Sequence, residues 1–203
     1  MNIAAARPRQ YRQARRAELT RARGERIAAA TVTLIKRTGR VAAITLEDVA
    51  RESGLTVRTI LRRYGSRDGA LEAAFDRIRE EFGGLRAPTP PGDVNMAIRS
   101  LMTQYEAIGP LNLRALEQED VLPLLHRNLE EGRRMHRAWL EDVFGPYLVR
   151  LRTAERERRI TALYAATDVY LWKLLRRDLR CSRSETENIF TRLVEGVLAK
   201  RGS

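Results

Sequence analysis

Three arginines crowd one short stretch of the chain. They are Arg58, Arg62 and Arg63, within the run TLEDVARESGLTVRTILRRYGSRDGAL at residues 45–71. A guanidinium presents five N–H donors in a planar fork, which matches the acceptors on a guanine edge or the oxygens of a phosphate. Thr59 joins the three arginines as a candidate around the groove; Thr45, Thr56 and Tyr64 add hydroxyls, and Arg67 adds a further cation. Such groups make the phosphate contacts that position a protein on a duplex without reading its sequence. This chemistry is recognition, and no bond-making is implied.

The surrounding residues must then place these groups on helices. Thr45 and Asp48 have the spacing of a capping box. Leu46, Val49 and Ala50 follow on one helical face. Gly54 takes a left-handed conformation at low cost, so it ends the first helix and opens a turn. Leu55 anchors that turn and Thr56 caps the second helix. Ile60 and Leu61 are its apolar residues, while Arg58, Thr59, Arg62 and Arg63 lie mostly on other faces. Gly65 and Ser66 stop it, and Ser66 caps the next helix. The expected product is a helix-turn-helix whose second helix can enter a major groove.

These residues resemble the DNA-binding segment of the TetR family of bacterial transcriptional regulators. The resemblance runs over about residues 20–82, through IAAATVTLIKRTG, the hairpin and SRDGALEAAFDRI. It extends more weakly to ATDVYLWKLLRRDL at residues 166–179. It implies that residues 56–64, including Val57, form the recognition helix and that Ser66 begins a linking helix. It also implies a ligand-responsive regulator, a repressor acting as a homodimer on a palindromic double-stranded DNA operator. Two positions depart from the family pattern. Leu61 stands where an aromatic is usual, which removes one phosphate contact. Arg67 stands where Lys is common, so a fork of donors replaces a point charge.

The fold class expected is all-α, with an N-terminal three-helix DNA-binding domain and a C-terminal helical bundle for dimerisation and ligand binding. The chain has 203 residues, 43% of them hydrophobic and 32% charged, with seven prolines and little strand-like alternation. Residues 1–19 read as a basic, disordered arm, 20–65 as the DNA-binding domain, 66–82 as the linking helix and 83–203 as the C-terminal domain. The net charge is +12, and residues 1–40 hold eleven Lys/Arg against two Glu. Arg7, Arg9, Arg12, Arg15 and Arg16 suit phosphate attraction, which steepens the salt dependence of binding. Gly109-Pro110 and Gly145-Pro146 read as helix breaks. A long helix is expected over about residues 154–178, and Ser182 with Glu185 forms a capping box for a final helix ending near Lys200.

The last two helices suggest a dimer. Tyr170 and Leu174, with Tyr164, Leu171 and Leu175, make one apolar surface. Ile189, Leu193 and Val197 make another, with Phe190 and Val194 beside them, and Gly196 permits close helix approach. Two helices per subunit can form a four-helix interface around a twofold axis. A ligand pocket is expected in the same domain, where Tyr164, Asp168 and Trp172 fall at i, i+4 and i+8 on the long helix. Asp168 is a carboxylate in an apolar stretch, open to a polar or cationic effector or to a dimer-interface or interhelix hydrogen bond. Met102, Tyr105, Leu116, Met135 and Trp139 are further candidates for the wall of a pocket holding an unidentified small-molecule effector.

Enzyme chemistry has little support. His126 and His136 are ten residues apart, off the spacing of a helical metal pair. No Cys-x-x-Cys, His-Glu-x-x-His, phosphate-binding glycine loop or Gly-x-Ser-x-Gly elbow occurs. No cofactor or metal is called for. The single cysteine, Cys181, leaves no internal disulfide framework, and no signal peptide or membrane-length apolar run is present, so the expected location is the bacterial cytoplasm. A helical adaptor or small-molecule-binding protein that does not read DNA is the alternative class.

Overall fold

The computed structural model describes residues 6–199, with side chains from residue 11 onward. Among the described residues every regular element is helical. The chain divides into two compact units at Arg79/Glu80. The first holds α1 (Ala6–Thr38), a 3-10 turn (Val41–Ala43), α2 (Leu46–Ser53), α3 (Val57–Tyr64) and most of α4 (Arg67–Gly83). The second holds α5 (Val94–Leu116), α6 (Pro123–Leu148), α7 (Thr153–Ala166), α8 (Val169–Lys173) with a π-type turn (Leu174–Asp178), and α9 (Arg183–Ala199). No described helix is long and apolar enough to cross a membrane.

The first unit is built as its sequence suggests. Ile27, Leu34 and Ile35 of α1, Val49 of α2, Ile60 of α3 and Leu71, Ala74 and Phe75 of α4 are all buried. The capping box at Thr45 forms in full, with Asp48 N–H donating to the Thr45 hydroxyl at 3.1 Å and Thr45 N–H donating to Asp48 at 3.0 Å. Gly54 ends α2 at φ +63°, in the left-handed region. Residues 6–19 differ from expectation, because the chain is helical from Ala6 and continuous with the core helix. The segment is rich in Ala, Arg and Gln, which are strong helix formers, and extending an existing helix is far easier than nucleating one. Residues 1–5 and the side chains of Arg7 and Arg9 lie outside the described residues.

The second unit departs from its sequence pattern at three punctuation points. Gly109-Pro110 does not break α5, because Gly109 is buried against Trp172. A Cβ there would lie 2.6–2.9 Å from three atoms of the indole. The glycine is thus a seat for the ring, and packing outweighs the roughly 3 kcal/mol that an internal proline costs a helix. Gly145-Pro146 likewise lies inside α6, held by buried Val143, Phe144 and Leu148. The expected long helix over residues 154–178 is instead two pieces, α7 and α8, separated at Thr167 and Asp168. Asp168 caps α8 by accepting from Tyr170 N–H at 2.8 Å. The Ser182–Glu185 box at α9 forms as expected. Residue 200, the expected end of that helix, lies outside the described residues.

Candidate functional site

In the first unit, α3 is an amphipathic helix with a single fully buried anchor, Ile60. Thr56 caps it, its hydroxyl accepting from Thr59 N–H at 3.2 Å and meeting the Thr59 hydroxyl at 2.9 Å. Val57 and Thr59 are half-buried at its first turn. Arg58 and Arg62 are exposed and make no ion pair or hydrogen bond among the described residues. They stand one turn apart on a helix fixed at both ends, so two free guanidiniums share one outward face. Leu61 is also part-exposed, at 39%.

Three residues expected at phosphates have most of their polar atoms engaged inside the domain. Arg67 Nε donates to the Ile44 carbonyl at 2.5 Å, and its Nη2 donates to the Val41 and Ala42 carbonyls at 2.9 and 2.8 Å. Its Nη1 pairs with Asp68 at 3.2 Å. The side chain therefore clasps the connection between α1 and α2, and only one of its five N–H groups is left over. Lysine has three donors at one point and could not span those carbonyls. The Tyr64 hydroxyl donates to the Gly24 carbonyl of α1 at 3.0 Å, and burial pushes its pKa above the ordinary tyrosine value. The Thr45 hydroxyl is closed in its capping box, donating to Asp48 at 2.8 Å. Asp48 titrates below the usual carboxylate range because it accepts from the Thr45 backbone and side chain.

Arg63 is not a free groove residue either. Its guanidinium lies 5.7 Å from the centroid of the Tyr64 ring and against buried Gly24, where a Cβ would come within 3.1 Å of Arg63 Nε. With Gln13, Arg16, Ala17, Thr20 and Arg21 of α1 it lines a shallow groove with three arginines. The helical form of the basic segment thus brings Arg16 and Arg21 beside the end of α3. Arg26 is a residue that sequence reasoning missed. It reaches the Ser53 carbonyl at 2.5 Å and fixes the end of α2. No local spacing announces such a contact, since the partners are separated by 27 residues.

In the second unit, the expected pocket residues scatter. Met102, Tyr105 and Trp172 are core. Trp172 donates to Glu106 at 3.1 Å, which Arg176 also holds at 2.6 Å, and Tyr105 donates to the Thr167 carbonyl at 2.7 Å. Leu116 packs at the edge of the core, and Met135 is an exposed surface residue at 49%. Asp168 and Trp172 do not share a helical stripe with Tyr164, because the helix ends between them. Burial raises the Asp168 pKa, opposed by the hydrogen bond from Tyr170 and by the charge of Arg133.

Trp139 and Tyr164 do converge, around His136. The His136 ring stacks on Trp139 at 5.6 Å and meets Tyr164 edge-on at 4.9 Å. Its Nε2 lies 2.9 Å from the Thr167 hydroxyl, which itself donates to the Leu163 carbonyl at 2.7 Å. Nε2 must then be the donor, so Nδ1 is free to accept from Arg86 Nη2 at 3.3 Å. Burial, with the Arg86 charge, pushes the His136 pKa down to about 3, so the ring is neutral. Arg86 lies 4.4 Å above the Trp139 ring. Sequence reading passed over Arg86 because it sits in a proline-rich loop, where a basic residue is ordinarily solvated.

The expected dimer residues divide by depth. Tyr170, Leu174 and Leu193 are 58%, 44% and 43% exposed, large apolar side chains left at the surface. Ile189 and Val197 are part-buried against the core, and Phe190 and Val194 are fully inside it. Gly196 is exposed with open space around it. Glu119, His126 and Glu130 bring ligand atoms within 4.8 Å of one another. Arg133 already bridges the two carboxylates at 2.6 and 2.7 Å, so the cation in that cluster is a guanidinium.

No protein-family model and no curated protein matches the chain. Solved structures do. A transcriptional regulator from Rhodococcus sp. Rha1 shares 18% identity over 86% of this chain and 95% of its own, with a TM-score of 0.65. A protein from Pseudomonas aeruginosa PAO1 assigned as a transcriptional regulator shares 15% over 88% and 91%, also at 0.65. The multidrug binding protein EbrR, solved in complex with imidazole, shares 21% over 83% and 88%, at 0.57. At these identities the likeness is one of fold. The chain is built on the all-helical plan of these proteins, a plan that fits the TetR resemblance of its helix-turn-helix sequence.

Proposed function

We propose that the protein is a TetR-type, ligand-responsive transcriptional regulator, a repressor that binds a palindromic operator as a homodimer. The observation that carries this reading is the outward face of α3, where Arg58 and Arg62 stand exposed and unpaired among the described residues on a helix capped by Thr56 and anchored by Ile60. Each can take a guanine edge in the major groove. Arg16, Arg21 and Arg63 supply phosphate contacts from the groove beside α3, and Thr59 and Val57 complete the contact surface. Thr45, Tyr64 and Arg67 hold the head together, and backbone N–H groups at the helix starts remain for phosphates.

Dimerisation uses the apolar residues left exposed on α8, its π-type turn and α9, namely Tyr170, Leu174 and Leu193. A twofold dimer places two α3 helices one turn of DNA apart, about 34–36 Å. A small-molecule effector in the second unit shifts the equilibrium between DNA-binding and released states, by as much as its affinity for the two differs. The fold shared with EbrR, a multidrug binding protein, supports an effector of this kind. The protein has no catalytic role in this reading and works in the cytoplasm. Selection from a random DNA pool tests it. The expected product is a palindrome with half-sites one turn apart, bound by two chains; a pool that stays random after several rounds would refute it.

A further inference from the structure

Arg86 is a part-buried cation without a counter-ion among the described residues. Its Nε is shut off from solvent and has no hydrogen-bond partner among the described residues. No carboxylate pairs with the side chain among those residues, and its one polar contact is the neutral His136. Asp168, a half-buried acid of this unit, is turned to the first turn of α8. Burial is the main influence on Arg86 and makes its charge harder to hold. A guanidinium does not give up its proton, so an uncompensated charge stands there.

The geometry around it is that of a prepared anion seat. Trp139 covers the face of the guanidinium at 4.4 Å, which leaves the edge, with its N–H fork, for a partner in the plane. His136 is locked as an acceptor toward Arg86 by its bond to Thr167, so it holds the guanidinium without neutralising it. Tyr164 and Trp139 flank His136, and both rings are part-exposed beside it.

We propose that Arg86 is the anchor for an organic carboxylate, which binds the guanidinium's remaining N–H groups with its apolar body against Trp139 and Tyr164. This names the effector class of the regulator reading above and rests on that reading for its biological role. The position of Arg86 suits that role. Its backbone N–H bonds to the Gly83 carbonyl at 3.3 Å, at the end of α4. Phe82 and Ala87, on either side, are held to α5 by Gln104 at 3.3 Å and Ser100 at 3.4 Å. An anion that draws on Arg86 therefore pulls on the C-terminal end of the linking helix.

The test uses the full chain and a set of small acids, acetate, benzoate, phenylacetate and decanoate, each paired with its neutral amide. Binding is followed by tryptophan fluorescence and calorimetry in the absence of DNA. The proposal expects at least one acid to bind about tenfold or more tighter than its amide, with loss of that preference in Arg86→Gln and partial retention in Arg86→Lys. It also expects unliganded Arg86→Gln to melt no lower than the wild type, since the variant removes an unpaired charge. Equal binding of every acid and amide, no binding of any acid, or full preference in Arg86→Gln would overturn it. The acid–amide comparison needs no variant to fold. A parallel gel shift separates the two readings: a chain that binds an acid through Arg86 but never binds DNA selectively keeps the anion seat and loses the regulator role.

Discussion

Replacing Arg67 by alanine distinguishes an internal clasp from a phosphate ligand. Three charge-assisted hydrogen bonds, to the carbonyls of Val41, Ala42 and Ile44, would be lost together. Bonds of this class contribute about 1.5–3 kcal/mol each when measured singly. The side chain is 28% exposed and the three share one guanidinium, so the expected total is about 3 kcal/mol. For a unit of this size that is a fall in Tm of more than about 10 °C. Arg67→Lys would recover less than half, because one ammonium cannot reach three carbonyls on different residues. Thermal denaturation gives the total, and hydrogen exchange at residues 41–53 locates it. DNA affinity measured well below the melting transition should change little. If Arg67→Ala melts within about 2 °C of the wild type and instead flattens the salt dependence of DNA binding by about one phosphate contact, the clasp is wrong and Arg67 faces DNA.

Three other outcomes are expected. Arg58→Ala should cost about 1–3 kcal/mol of discrimination at one base pair of the half-site, with Tm unchanged, measured by competition between cognate and singly substituted duplexes. The second unit should lose stability as pH falls through the window from about 6.5 to 5. His136 is held neutral when folded, with its pKa pushed down to about 3, but takes a proton near 6.5 when unfolded. The unfolded state then binds more protons, so stability falls on the order of 1 kcal/mol per pH unit, a slope that denaturation should find reduced in His136→Gln. Gly109→Ala should cost about 1–3 kcal/mol or more, although alanine is the better helix former, because its Cβ meets the Trp172 ring at 2.6 Å. A rise in Tm for that variant would mean the indole is not seated there.

What was legible in the sequence follows the range of the interactions. Thr45 with Asp48, Gly54, Thr56 and the Ser182–Glu185 pair act within four residues of themselves, and each forms the cap or turn its spacing predicts. The exposed face of α3 was legible for the same reason. Gly109-Pro110 carries the local signal of a helix break, but its meaning is set by Trp172, 63 residues away. Arg67 and Tyr64 carry the local signal of phosphate ligands, while the partners they bond, Ile44 and Gly24, lie 23 and 40 residues back in the chain. Arg86 gave no signal at all. Its burial depends on Trp139 and His136, which only the packing of the second unit brings to it.

The affinity ratio for selected against random DNA bears hardest on the proposed function. Fluorescence anisotropy with an operator from the random pool, at a fixed physiological salt concentration, should give a Kd about a thousandfold or more below that for random duplex of equal length. The double variant Arg58→Ala, Arg62→Ala should bring the two values close together while leaving the binding of random DNA nearly intact. Equal affinities for both duplexes in the wild type, or an unchanged ratio in the double variant, would contradict the account of α3 as the reading helix.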